Sequence, residues 1–374
     1  MITKSNIRML EGIKIATKQA PLFSHAPRYA GLKDAWYTTV DTELFTYNAF
    51  PFFFVGSNSL HAIGWSSGAG HGNSDEVRYA IIDEETYEMQ QGVFFDDATQ
   101  VIDQDLSWLE IYLPNDGDYV NFRSVYTVIR EAGALTLYVN SSIDVSGDTY
   151  ALWGTPYEYN GDWYTGSYRT VGGYFRTALL KSTDNMKTWG FVSLVAGDSS
   201  RKYNEAAFLN TSGTNLISVV REDLTDARDL CLVNSADGGV TWSPAINTVL
   251  TPIPDVKGTQ PFLMKLSNGN VMLIAGKRTG SSGIDAGGSL LNNVDVTGVM
   301  YWTSADDGAT WSDGVQLAPS WSTDCGNPTA MQLPNGNVAV AFYTAQGATN
   351  ETVGVEPSII YLEFDPVNTK NAAS

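Results

Sequence analysis

Four of the eleven arginines in this chain occupy one recurring place, the polar residue that closes a short apolar run after a glycine turn. They are Arg123, Arg169, Arg221 and Arg278, and Tyr343 holds the same place in a further copy. A guanidinium is a planar fork that suits the oxygens of a carboxylate or sulfate. In a chain with 22 Lys+Arg against 41 Asp+Glu and a formal charge of −19, that concentration points to an anionic ligand. The competing explanation is that each arginine pairs with one of the many carboxylates. His71, in the loop Gly68-Ala-Gly-His71-Gly-Asn-Ser-Asp75, is a candidate general base or an exposed loop histidine. Trp65, Trp153, Trp163, Tyr164, Tyr168 and Tyr174 could stack on sugar rings, or pack between sheets.

The elements that position these residues read as strands. The chain of 374 residues holds 35 Gly, 19 Tyr, 15 Phe and 10 Trp, with only 17% charged residues. Short apolar alternations bounded by Gly, Asn and Asp recur, as in Asn270–Lys277 and Asn337–Thr344. The one helical expectation is Asn6–Ala16. Ser182-Thr-Asp184-Asn-Met-Lys-Thr188-Trp189 matches Ser235-Ala-Asp237-Gly-Gly-Val-Thr241-Trp242, and both match Ser304-Ala-Asp306-Asp-Gly-Ala-Thr310-Trp311. An Asp that caps turn amides, a Gly that supplies positive φ and a Trp packed beneath fit a hairpin turn. The first copy has Asn185 and Met186 where the second has glycines, which predicts a looser turn.

A second repeat runs ahead of each of these turns: a lead-in segment, a Gly turn and an apolar strand. Gly161–Arg169, Gly213–Arg221, Gly269–Arg278, Leu333–Tyr343 and Leu113–Arg123 follow it, and Pro51–Trp65 is a degenerate copy. Six units result, at 30–100, 104–149, 150–201, 202–255, 256–321 and 322–366. Internal repetition of this length predicts an all-β, six-bladed β-propeller of four-stranded antiparallel blades. Residues 30–366 are expected to form that single domain, residues 1–29 an extension or closing segment, and residues 367–374 a tail.

The triplicated S-x-D-x-G-x-T-W pattern resembles the Asp-box, or BNR repeat, of the sialidase (neuraminidase) superfamily. The resemblance is clear over about 150–365 and weaker before that. It implies that Asp184, Trp189, Asp237, Trp242, Asp306 and Trp311 are structural, on outer turns away from the ligand. It also implies three carboxylate-binding arginines from separate blades, a Tyr nucleophile activated by a Glu, and an Asp acid/base. Tyr203-Asn-Glu205 followed by Arg221 is similar to the segment bearing the Glu and the second Arg. Arg278 is similar to the third, with Lys277 as the alternative register, and Arg28 in His25-Ala-Pro-Arg28-Tyr29 to the first. Where the family carries its nucleophile, this chain reads Asp324-Cys325-Gly326-Asn327-Pro328 instead. Tyr343 would reach the funnel from a different point. Asp34, Asp41 and Asp75 remain open for the acid/base. Relatives in the propeller superfamily use carboxylate pairs, which Glu205 and Asp324 could supply. Two carboxylates flanking a glycosidic bond are what glycoside hydrolysis needs.

The expected function is a sialidase-like glycoside hydrolase, or lyase, acting on an acidic glycan, with no metal and no cofactor. The alternative is a non-catalytic glycan- or receptor-binding propeller, such as a phage tail or virion-associated protein; a propeller serving as a scaffold is a third reading. The acidity and the absence of a basic run exclude nucleic acid as a partner. No apolar stretch is long enough to span a bilayer, and Met1–Ala20 lacks the apolar centre of a signal peptide. An extracellular or virion-associated place and a homo-oligomer fit this reading. Cys231 and Cys325 are too few for a disulfide framework.

Overall fold

In the computed structural model the described residues are 15–16, 36–40, 47–53, 62–70, 73–82, 89–96, 101–102, 113, 115–122, 125–140, 142–145, 147–197, 201–223, 229–277, 298–319, 324–344 and 358–366. They form antiparallel strands and no helix. Two early strands are β1 (Ile15–Ala16) and β2 (Trp36–Val40). The first sheet is β3 (Tyr47–Phe53), β4 (Ala62–Gly70), β5 (Asn73–Ile82), β6 (Met89–Asp96) and β7 (Val101–Ile102). The second is β8 (Tyr119–Phe122), β9 (Tyr126–Glu131) and β10 (Ala134–Val139). The third is β11 (Ser142–Val145), β12 (Asp148–Tyr159), β13 (Asp162–Val171), β14 (Tyr174–Ser182) and β15 (Gly190–Ala196). The fourth is β16 (Tyr203–Ser212), β17 (Asn215–Glu222), β18 (Asp229–Ser235) and β19 (Pro252–Lys257). The fifth is β20 (Thr259–Lys265), β21 (Val271–Lys277), β22 (Gly298–Ser304) and β23 (Val315–Pro319). The sixth takes β24 (Cys325–Gln332), β25 (Val338–Thr344) and β26 (Ser358–Phe364), and is completed by β2 and then β1. The sheets therefore hold three to five strands, and four strands occur only in the fourth and fifth.

The early strands add to the end of the chain. Trp36 pairs with Glu363 and Val40 with Ile359, while Ile15 and Ala16 pair with Val40 and Thr39. The helix expected over Asn6–Ala16 is thus overturned at Ile15 and Ala16; residues 6–14 lie outside the described residues. An edge strand's unpaired amides and carbonyls are satisfied by any extended segment that reaches them, and tertiary pairing overrides a weak local helical preference.

Burial explains the strand sequences. β17 is buried at every position but its first, and β21 at every position but its last. A strand covered on both faces reads as a continuous apolar run, as Val271–Ala275 does. The covering surfaces are the neighbouring sheets. One apolar cluster joins the first sheet to the sixth through Phe53, Ile63, Trp65, Tyr343 and Tyr361. Others join sixth to fifth, fifth to fourth, fourth to third, and third to second. The hairpins follow the repeated sequence. In Leu266–Asn270 and Leu333–Asn337 the leucine amide donates to the second Asn carbonyl at 2.8 Å, and Gly269 and Gly336 sit at φ near +90°.

The three Ser-x-Asp-x-x-x-Thr-Trp turns share one geometry. In each, the Ser hydroxyl donates to the Asp carboxylate, and the Thr amide and hydroxyl donate to the same carboxylate. The turn expected to be looser is not. Asn185 and Met186 adopt φ +57° and +66°, as Gly238 and Gly239 do at +73° and +88°. Met186 still donates its amide to Ser182 Oγ at 2.9 Å. Burial of the Met186 side chain, 1% exposed, offsets the cost of the left-handed backbone.

Candidate active site

The strands β3, β16, β20 and β24, each at one edge of its sheet, and β12, next to the short edge strand β11, converge on one cavity of about 260 Å³. Trp153, Tyr157, Phe208, Phe262 and four prolines are among its lining. Each of these strands breaks register at the same place, between Ala49 and Phe52, Trp153 and Tyr157, Tyr203 and Ala206, Thr259 and Phe262, and Gly326 and Thr329. The cause is visible in the sequence. Pro51, Pro156, Pro261 and Pro328 follow Phe50, Thr155, Gln260 and Asn327, and a proline cannot donate to the ladder. Phe50, Gln260 and Asn327 take positive φ, 56°, 56° and 46°. A bulge re-aims the residue it contains. Glu205, before Ala206, holds the same place in β16 and is the charged member of the series.

Glu205 is buried, 8% exposed, and firmly held. Its Oε2 accepts from Arg221 Nη1 at 2.6 Å and from the Gln260 amide at 3.1 Å. Arg221 donates its other terminal nitrogen to Asp223 at 2.6 Å. Burial alone would lower the pKa of Arg221; Glu205 and Asp223 more than offset it and hold the group above its ordinary value. Asn204 approaches Asp223 at 3.5 Å. Gln260 carries the network to the next strand, because its Oε1 accepts from the Asn327 amide at 2.8 Å. Gly326 sits at φ +129°, which favours glycine, and a Cβ there would displace that same Oε1. Asp324, just before β24, accepts the Tyr343 hydroxyl at 2.6 Å. Glu205, Gln260, Asn327, Asp324 and Tyr343 thus lie at one end of the sheets. The Ser-Asp-Thr turns lie at the other, where Gly238 donates to Thr214 in the β16–β17 hairpin.

Arg169 and Arg221, the predicted arginines among the described residues, are not on the five strands whose bulges line the cavity. Arg169 and Arg221 lie near the ends of β13 and β17, and Tyr343 lies in β25; these strands pair with β12, β16 and β24, and none of the three residues lines the cavity. The lead-in segment, not the apolar run after the glycine turn, supplies most of the cavity lining. Lys277 ends β21 at the same end as Glu205. Arg169 pairs with Asp148. Tyr343 is completely buried, as is Trp65, which sits in the core between the first and sixth sheets and offers no face to a sugar. Trp163 and Tyr164 are also buried, whereas Trp153 reaches the cavity. Asp75 lies on β5, with only its backbone described. Arg28, Asp34, Asp41, His71, Arg123 and Arg278 lie outside the described residues. Gln260, Asn327, Asp223 and Asn204 were missed by sequence reasoning. The available signal was the proline that follows Phe50, Thr155, Gln260 and Asn327.

No family model and no curated protein matches the chain. Solved structures do. A Dyadobacter fermentans protein of unknown function superposes with a TM-score of 0.65 at 15% identity, covering 95% of this chain and 100% of that one. The NanB sialidase of Streptococcus pneumoniae superposes with a TM-score of 0.51 at 11% identity, covering 88% of this chain and 70% of that one. An α-L-arabinanase of Penicillium chrysogenum gives 0.49 at 9% identity, covering 84% and 92%. The chain therefore has an all-β fold of antiparallel sheets that is similar to that of propeller proteins.

Proposed function

We propose that the six sheets form a six-bladed propeller of the sialidase type, stapled by Asp-box turns, and that the chain is a carbohydrate-active glycosidase (or lyase) acting on an acidic glycan. The observation that carries this reading is the ring of bulges. It places Glu205 at the end of the sheets away from the Ser-Asp-Thr turns and fixes it with two donors on one oxygen. Asp324, held by Tyr343, lies at the same end but not on a neighbouring strand: it precedes β24, and β20 stands between β24 and β16. One carboxyl would protonate the departing glycosidic oxygen while the other takes a proton from water or stabilises the sugar cation. Tyr343 is completely buried, so in this reading it positions Asp324 rather than attacking the sugar. Support from outside the chain is the fold similarity to a sialidase.

One observation favours a second reading, a glycan-binding propeller without turnover. Both terminal nitrogens of Arg221 are committed to internal carboxylates, which leaves it poorly placed to grip a substrate anion. Incubating the purified chain with sialosides, uronates and neutral oligosaccharides separates the two. New reducing ends or unsaturated products that vanish in Glu205→Gln support the enzyme. Retention without product supports the binding protein. Neither product nor retention overturns both.

A further inference from the structure

Tyr150 on β12, Arg169 on β13, Arg176 on β14 and Gly197 just beyond β15 form a row across the third sheet, at the end that carries Glu205. Arg169 and Arg176 are direct cross-strand partners. Like charges placed opposite each other destabilise a sheet unless something compensates them. Compensation is incomplete. Asp148 pairs with Arg169, whose guanidinium lies 5.2 Å over the Tyr150 ring. No carboxylate among the described residues pairs with Arg176. The Nε atoms of both arginines are buried without a hydrogen-bond partner. A buried donor left unmade is costly, which marks a place where an acceptor belongs. Gly197 makes the room: a Cβ there would stand 2.8 Å from Arg176 Cγ. The row adjoins the candidate site, since Thr177 donates its hydroxyl to the Asn204 carbonyl at 3.0 Å, one residue before Glu205.

We propose that Arg169 and Arg176 form an oxyanion subsite beside Glu205 that takes a sulfate or carboxylate group carried by a saccharide. The identity of the carrier rests on the carbohydrate reading above; the oxyanion site does not. Two guanidiniums facing one carboxylate leave one positive charge for a ligand, and their adjacent forks suit one oxyanion.

The test is calorimetric titration of the intact chain at low ionic strength with inorganic sulfate, a sulfated disaccharide, a uronate disaccharide and a neutral disaccharide. The charged probes bind and the neutral one does not. Arg176→Met weakens binding roughly tenfold or more. Asp148→Asn, which removes the competing carboxylate, strengthens it. Equal binding by wild type and Arg176→Met, or no anion binding at all, overturns the proposal. If Arg176→Met fails to fold, Asp148→Asn decides, and unchanged or weaker binding sinks it. Sulfate binding without either charged disaccharide keeps the oxyanion site and removes the carbohydrate reading. Glycan turnover indifferent to both substitutions does the reverse.

Discussion

Tyr343 donates its hydroxyl to Asp324 Oδ1 at 2.6 Å across the β24–β25 hairpin. The tyrosine is completely buried and the aspartate partly exposed, so the apolar core of the sixth sheet fixes a carboxylate at the channel end. Removing the hydroxyl alone should loosen that carboxylate without opening a cavity. Tyr343→Phe is expected to cost about 1 kcal/mol of stability, the usual worth of one hydrogen bond. Where the chain turns over a glycan, kcat should fall with little change in KM. Tyr343→Ala should cost about 3–5 kcal/mol, the range for emptying an aromatic core position. Urea midpoints compared with steady-state kinetics check both.

Glu205 and Arg221 are each about a tenth exposed at the side chain. Losing one partner strands the other's charge. Arg221→Met is expected to destabilise the fold by about 3–5 kcal/mol, and Glu205→Gln by less, because the amide still accepts a hydrogen bond. The double substitution should recover part of the Arg221→Met loss. Strictly additive urea-unfolding energies would show that the pair is not coupled.

Gly238 and Gly239 occupy the same turn at φ +73° and +88°, yet they should tolerate alanine differently. A Cβ on Gly238 meets nothing within 4 Å, while one on Gly239 collides with Leu179. Gly238→Ala should cost about 1 kcal/mol of backbone strain, and Gly239→Ala appreciably more. Thermal melts of the two variants should rank in that order.

Hydrogen bonds from Thr241 and Ser235 hold Asp237 down to about 2, and those from Thr310 and Ser304 do the same for Asp306. The unfolded chain has ordinary carboxylates near 3.8, so on acidification it takes up these protons first. The stability contributed is present above about pH 4 and is lost as the pH falls toward 2. Urea midpoints measured across that window should fall steeply in wild type. They should fall less steeply in a variant carrying Asp237→Asn and Asp306→Asn, which starts from a lower stability at pH 7.

Both cysteines are buried and outside any disulfide, and burial, with Glu222 and Asp229 nearby, pushes the Cys231 thiol up to about 12. Only the thiolate reacts readily. Neither cysteine should react with a thiol reagent in the native chain, and both should react in denaturant. A fast-reacting thiol in native buffer would contradict the packing described for β18 and β24.

Much of the fold was legible because its signals are local. The Ser-Asp-Thr-Trp turns close their hydrogen bonds within eight residues, so three matching octets announced three matching turns. The Gly-Asn hairpins and the apolar runs after them likewise reflect short-range backbone chemistry. Which strand of each sheet lines the cavity was not legible, because paired strands such as β16 and β17 are both largely apolar and buried, and only the packing of sheet on sheet decides which one faces the cavity. Assigning Arg169 and Arg221 to the cavity-lining strands failed for that reason. Reading Met186 as a looser turn failed because burial against other strands, absent from the octet, offset its backbone cost.

The sequence by itself determined the all-β class, the repeat and the identity of Glu205 as a charged residue just ahead of Ala206. Tertiary structure alone decided that Arg221, Asp223 and the Gln260 amide would surround that carboxylate, and that Trp36–Val40 would pair with Ser358–Phe364 at the far end of the chain. Those contacts join residues with no shared local pattern. They form only when whole sheets pack, because the hydrophobic contacts between sheets are what bring their polar ends into hydrogen-bond range.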